Sequence, residues 1–133
     1  MTDLVFFYGT LMSGFERPGR ARLDQKLTPQ GHGSIRAALF DVGIYPAAIP
    51  ASDSHVRGEI HRMFDSASVL DALDEIEGFH PDRHDESLYI RVEAPVTFDD
   101  GHVANAWVYF YNAPLGRAPR IDSGDYLQYL KVK

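Results

Sequence analysis

Residues 88–111 read LYIRVEAPVTFDDGHVANAWVYFY. Two runs, Leu88–Phe98 and Val103–Tyr111, are dense in aromatic and β-branched side chains, which suit a pleated, half-buried surface. Asp99-Asp100-Gly101-His102 joins them, and Asp100-Gly101 is a strong hairpin signal because a tight turn needs backbone angles that Gly adopts freely. The stretch predicts an antiparallel pair. Upstream, Val69, Leu70, Leu73 and Ile76 recur at helical spacing, which predicts a helix over Ser66–Glu77. Asp65 or Ser66 can cap its start, and Gly78 is a natural residue just past its end. His80–Glu86 is polar, contains Pro81 and reads as a loop.

Further out, Val56–Phe64 alternates weakly as a strand, with Gly58 marking a bulge or a close backbone approach. Ile35–Val42 is a strand punctuated by Gly43 and Pro46, with Ala47–Ile49 as a short edge piece. Leu4–Tyr8 is a continuous apolar run that fits a buried central strand, ended by Gly9. Met12–Arg22 reads as a loop leading into a short helix near Gln25, and the tail from Ile121 to Lys133 as irregular with a helical turn near Ser123–Tyr126. Strands and helices do not alternate regularly, which argues against a doubly wound fold. The order predicts an α+β fold: residues 1–133 as one domain, a small curled mixed sheet or barrel, one main helix and a central cavity.

Composition narrows function. The net charge of −6 argues against diffuse nucleic-acid binding through phosphate neutralisation, and no nucleic-acid partner is expected. Arg17, Arg20 and Arg22 form the densest basic group, able to attract an anion or simply to form a solvated face. The chain has no Cys, so disulfides, thiolate nucleophiles and Cys metal sites are excluded. The start, Met1 to Tyr8, lacks a basic leader and reads as a strand; no apolar stretch approaches the ~20 residues of a membrane helix, so a cytoplasmic location is the default. The six His fall in no metal-ligand pattern, so no metal is expected. Ser13, Ser34 and Ser54 lack nucleophile context. The Asp99-Asp100 pair is explained by its turn, and Glu59 is either a second cavity acid or an ion-pair partner of Arg57.

Two features suggest chemistry. On a helical wheel at ~100° per residue with Val69 at zero, Leu73 falls near ~40°, Leu70 near ~100° and Glu77 near ~80°. Asp74 and Glu75 fall near ~140° and ~240°, toward the polar side. Glu77 therefore lies on the stripe that faces the core, where burial would raise its pKa toward that of a proton shuttle. A frayed, solvated helix end or an ion pair with Arg91 or Arg83 are the alternatives. The second feature is Tyr8-Gly9-Thr10-Leu11, directly after a buried strand. Gly9 permits an unusual backbone there, and successive amides can line an anion site; a plain strand-ending turn is the alternative.

Together the pieces resemble the γ-glutamylcyclotransferase-like superfamily, which includes γ-glutamylamine cyclotransferases and the plant avirulence-induced-gene proteins. The resemblance rests on an ordered set spanning nearly the whole chain: Tyr8-Gly9-Thr10-Leu11, Ala38–Ala47 with Tyr45-Pro46, Val56-Arg57-Gly58-Glu59-Ile60, Leu73–Phe79, Tyr89-Ile90-Arg91 and Ser123–Tyr126. It implies a small barrel-like fold with Glu77 as catalytic glutamate, the backbone of Tyr8, Gly9, Thr10 and Leu11 as substrate-holding loop, Tyr89 as a substrate contact, and Tyr45 and Pro46 lining the cavity. It also implies cyclisation of a γ-glutamyl amine or γ-glutamyl amino acid to 5-oxoproline, without cofactor or metal. Ile76, where an aromatic is usual, His61, where Tyr or Phe is frequent, and Tyr126, where Trp is common, depart from the family pattern and bear on pocket shape. A non-catalytic carboxylate-binding protein on the same fold is the alternative. A homodimer through Tyr109, Phe110 and Tyr111 is a third reading, against which core packing explains those residues more simply.

Overall fold

The computed structural model of the protein describes residues 2–15 and 17–132. Met1, Glu16 and Lys133, which the expectations for the start, the loop and the tail include, lie outside the described residues. Strands β1 (Leu4–Phe7), β2 (Leu27–Asp41), β3 (Pro46–Met63), β4 (Tyr89–Phe98) and β5 (Val103–Tyr111) form a closed barrel in the order β1-β3-β2-β4-β5. A parallel contact of β1 with β5 at Val5 and Trp107 closes it. Helix α1 (Ser66–Glu77) follows β3, and α2 (Tyr126–Val132) ends the described chain; 3-10 turns occupy Ala21–Lys26 and His84–Glu86. The fold is thus α+β with one main helix, as the sequence predicts. No helix among the described residues is long and apolar enough to cross a membrane.

The β4–β5 hairpin forms as its sequence dictates, with Gly101 at φ 96° in the turn. Along β5, Ala106, Val108 and Phe110 are buried at alternate positions on one face, and Tyr109 is buried on the other. They join Phe6, Ile35, Leu39, Val56, Ile60, Leu73 and Val96 in one apolar cluster.

The strands before α1 differ from the sequence reading. The predicted Ile35–Val42 strand is the distal part of β2, which begins at Leu27 and ends at Asp41, while Ala47–Ile49 and the predicted Val56–Phe64 strand, up to Met63, belong to one continuous β3. The two strands form a long antiparallel ribbon whose register shifts between Pro29 and Gly31 and between Arg36 and Ala37. Low-propensity residues (Pro29, Gly31, Gly33, Pro50) and these shifts interrupt the period-2 signal, so pairing across the ribbon holds what local propensity does not. Gly58 marks a close approach: a β-carbon there would lie 2.2 Å from the Phe7 carbonyl oxygen, and one on its partner Gly33 2.4 Å from that of Thr97. The two glycines let β1 and β4 close against the ribbon.

Helix α1 has its predicted bounds but not its predicted N-cap. Asp65 is left-handed (φ 59°), its side chain makes no cap hydrogen bond, and its carboxylate lies 3.6 Å from Lys26 Nζ. The C-terminal end is firmly capped. Gly78 is left-handed (φ 68°), its N–H donates to Glu75 O at 3.3 Å, and the Phe79 N–H donates to Asp74 O at 2.9 Å. This double closure satisfies carbonyls that a frayed end leaves to water. The Leu88 N–H then donates to Gly78 O at 3.0 Å, tying the helix end to the start of β4. The tail is more ordered than a single turn: α2 forms, and Gly124 O accepts from the Arg57 N–H at 2.8 Å.

Candidate functional site

A hollow lies at the barrel end where β1 and β5 finish and β3 and β4 begin. Glu77 enters it from the capped end of α1. Tyr8, Gly9, Thr10 and Leu11 form one wall, Tyr45 and Pro46 a second, and Tyr89 a third, so the eight residues singled out from the sequence share one cavity. Phe6, Phe7, Tyr109 and Arg17 complete its lining. The cavity measures about 30 Å3, room for a water molecule or two at ~10–15 Å3 each.

Glu77 is 8% exposed, and no donor among the described residues bonds its carboxyl. Burial raises its pKa from 4.5 to about 7, against the opposing pull of the Arg17 charge. The negative end of the α1 dipole acts in the same direction as burial. Three buried tyrosines face the region, and each commits its hydroxyl elsewhere: Tyr8 to Tyr109 O at 2.6 Å, Tyr89 to Pro46 O at 2.9 Å, and Tyr109 to Asp74 Oδ1 at 2.6 Å. Burial pushes all three phenols up, with the Glu77 charge adding to the effect, so they remain neutral. Glu77 is the group in this cavity suited to exchange a proton near neutral pH.

Opposite it, the Met12 N–H closes the turn on Gly9 O at 3.0 Å. The amides of Gly9, Thr10 and Leu11 donate to no acceptor among the described residues. Gly9 serves the turn differently from the sequence expectation. Its φ is not in the left-handed region; instead a β-carbon would lie 2.7 Å from Pro46 Cγ. Glycine is needed here for space, so that the turn can pack against the residue pair entering β3.

Three expectations need correction. Asp74, placed toward the polar face by the wheel, is buried and accepts from Arg91 Nε at 2.8 Å, Arg91 Nη2 at 3.1 Å and the Tyr109 hydroxyl. The β4–β5 register sets Arg91 beside Tyr109, and the guanidinium lies 4.6 Å from the Trp107 ring centroid, so the barrel supplies a partnered place for a carboxylate one turn before Glu77. Arg91 is thereby engaged with Asp74 and Arg83 with Glu86, and neither pairs with Glu77. Glu59 does not line the hollow, and Arg57 binds Asp99 in its place. The Glu59 carboxylate accepts from Ser13 N–H at 2.9 Å, Ser13 Oγ at 3.1 Å and His61 Nε2 at 3.1 Å. Burial alone would raise its pKa, but the His61 and Ser13 bonds hold it below the usual value.

Arg17 and Tyr109 were not recognisable as site residues. Arg17 reads as one member of a basic triplet and Tyr109 as strand core; only the alignment of Tyr109 opposite Arg91 across the hairpin hints at its place. Tyr109 and Phe110 are buried within this chain and Tyr111 partly so. Among the described residues no cluster of three or more His, Asp or Glu is arranged to hold a metal ion.

The class so defined is a five-stranded barrel presenting a buried carboxyl to a turn of uncommitted amides. The chain matches the family described as gamma-glutamyl cyclotransferase, AIG2-like, over residues 5–128, and it belongs to that family. It is 30% identical over 128 residues to a protein of Methanocaldococcus jannaschii named "Putative gamma-glutamylcyclotransferase", covering 96% of this chain and 98% of the other. It is 29% identical over 126 residues to the gamma-glutamylcyclotransferase family protein YtfP of Escherichia coli K12, covering 92% and 95%. The solution structure of Escherichia coli ytfP superposes with a TM-score of 0.65 at 26% identity, covering 95% of this chain and 97% of that one. An uncharacterized protein from Pyrococcus horikoshii shares the fold at a TM-score of 0.71 and 22% identity, covering 98% and 95%.

Proposed function

We propose that the protein cyclises a γ-glutamyl amine or γ-glutamyl amino acid, releasing 5-oxoproline and the amine. The observation that carries this reading is Glu77: a buried carboxyl with a pKa near 7, sharing one hollow with the uncommitted amides of Gly9, Thr10 and Leu11. Those amides hold the α-carboxylate of the γ-glutamyl group, which brings its α-nitrogen within reach of Glu77. Orientation of this kind removes much of the entropy barrier to ring closure.

The α-nitrogen forms a bond to the γ-carbon, and the bond from that carbon to the leaving nitrogen breaks. Two protons depart the α-ammonium and finish on the leaving nitrogen, so the ammonium charge passes from substrate to product. Glu77, as carboxylate, takes a proton first and returns one later, ending as it began. Such relay is worth about 10²–10⁴-fold in rate. Tyr89, whose hydroxyl is fixed to Pro46 O, and Tyr45 and Pro46 shape the walls around the reacting carbon. Because the resting hollow is small, substrate entry requires its rim to open.

The experiment is 5-oxoproline release across a panel of γ-glutamyl compounds, with Glu77→Gln as control. Turnover by the wild type, cut at least about 100-fold in the variant, supports the reading. Equal turnover by the two proteins removes Glu77 from the chemistry. Binding of γ-glutamyl compounds without release points to the carboxylate-binding alternative.

A further inference from the structure

Resting on the cyclotransferase reading of this same cavity, we propose that Arg17 is its gate and its specificity residue: it closes the hollow at rest and, with substrate bound, pairs with a carboxylate on the leaving group. The preferred substrates are then γ-glutamyl α-amino acids and γ-glutamyl peptides rather than simple γ-glutamyl amines.

Arg17 is common to three spaces. It lines the hollow of about 30 Å3, a cleft of about 660 Å3 bounded by Met12, Phe15, Pro18, Arg20 and Asp24, and a second cleft of about 430 Å3 against Ala72, Glu75 and Ile76. It is thus the partition between the buried carboxyl of Glu77 and the open grooves. Its guanidinium spans the rim: Nη1 donates to Thr10 Oγ1 at 2.7 Å, Nη2 donates to Ile76 O at 3.2 Å, and the Tyr45 ring lies 4.1 Å from Cζ.

The partners of this guanidinium are neutral. No carboxylate among the described residues lies within ion-pair distance of it, Glu77 included. Both of its hydrogen bonds carry charge on the donor alone and go to separate single acceptors; a carboxylate adds the opposite charge and matches the guanidinium with two parallel bonds from one group. An incoming carboxylate therefore displaces the hydroxyl and carbonyl partners, and the gate opens toward the ligand that it recognises.

The direction of the substrate places that carboxylate. With its γ-glutamyl end held between the turn amides and Glu77, the substrate fills the hollow, and the leaving nitrogen points outward. What that nitrogen carries must lie on the Arg17 side, along clefts that bear the exposed Arg22 together with the carboxylates of Asp24, which pairs with Arg20, and Glu75, so the guanidinium of Arg17 is the cation nearest the hollow. An α-amino acid puts its carboxylate one carbon beyond the leaving nitrogen, close to the partition. A simple amine has nothing there for the guanidinium to grip.

The test compares γ-glutamylalanine with γ-glutamylethylamide, which differ by that one carboxylate. For the wild type we expect kcat/KM for 5-oxoproline release to favour the alanine compound by about 10- to 100-fold. In Arg17→Met the preference falls to near unity, chiefly through a raised KM for the alanine compound; Arg17→Lys, which keeps a cation without the fork, retains part of it. Absence of preference in the wild type, its survival in Arg17→Met, or equal losses on both substrates would overturn the proposal, the last by marking Arg17 as a support for the turn. If the wild type releases no 5-oxoproline from either compound, the cyclotransferase reading itself fails. Calorimetric binding of the same pair then decides: a preference for the alanine compound that Arg17→Met abolishes upholds Arg17 as the carboxylate receptor, and equal or absent binding rejects it.

Discussion

Replacing Glu77 by Gln is expected to stabilise the protein in alkaline solution far more than in acid. Burial raises the Glu77 pKa from 4.5 to about 7, so between those values the folded chain keeps a proton that the unfolded chain has released. The stability this proton provides is fully present below pH 4.5, falls as pH rises and is lost once pH passes about 7. The gap corresponds to about 3 kcal/mol, a large part of the total stability of a small domain. Gln cannot ionise and escapes the loss. Its different hydrogen-bonding groups add an offset, but that offset does not vary with pH. Urea unfolding of the wild type and Glu77→Gln, followed by tyrosine and tryptophan fluorescence, isolates the ionisation from everything else. The stability difference should widen by about 2–3 kcal/mol in favour of the variant between about pH 5 and about pH 8. A difference that stays constant across that range would refute a buried, uncompensated carboxyl at this position.

Other parts of the structure make their own predictions. Gly58→Ala sets a β-carbon 2.2 Å from the Phe7 carbonyl oxygen, and unfolding should show a loss of at least about 2 kcal/mol. Tyr109→Phe removes one of the bonds to the buried Asp74 carboxylate and should cost about 1–3 kcal/mol in the same assay, with the Arg91 pair left in place. Gly9→Ala drives the turn against Pro46 Cγ, so KM for γ-glutamyl compounds should rise about 10-fold or more, with a loss of about 1–3 kcal/mol in unfolding from the same clash.

The legible parts of the sequence were those where side-chain pattern and final environment agree. The 88–111 hairpin carries its own turn chemistry, and α1 carries its own stripe and its Gly78 stop. Both appear at, or within a residue of, the predicted bounds. Glu77 was visible because a charge on an apolar stripe is an inconsistency that folding must resolve. The β2–β3 ribbon was legible only in pieces, at Ile35–Val42, Ala47–Ile49 and Val56–Phe64; its start and its continuity were not, because Pro29, Gly31 and Gly33 carry no strand signal and the register shifts break the alternation. Asp74 was misplaced for a related reason: a wheel ranks faces by hydrophobicity, and cannot see that Arg91 and Tyr109 arrive from another hairpin to satisfy a buried acid. Arg17 belongs to the site only through the path of its loop, for which no periodic pattern exists.

The dependence of 5-oxoproline release on pH tests the link between the buried carboxyl and turnover. With a γ-glutamyl substrate, kcat/KM should climb tenfold per pH unit in acid and level off near pH 7, where Glu77 becomes ionised, and this limb should vanish with the activity in Glu77→Gln. Turnover that is flat from about pH 5 to about pH 8, or that persists at full rate in the variant, would show that the proton passes through some other group.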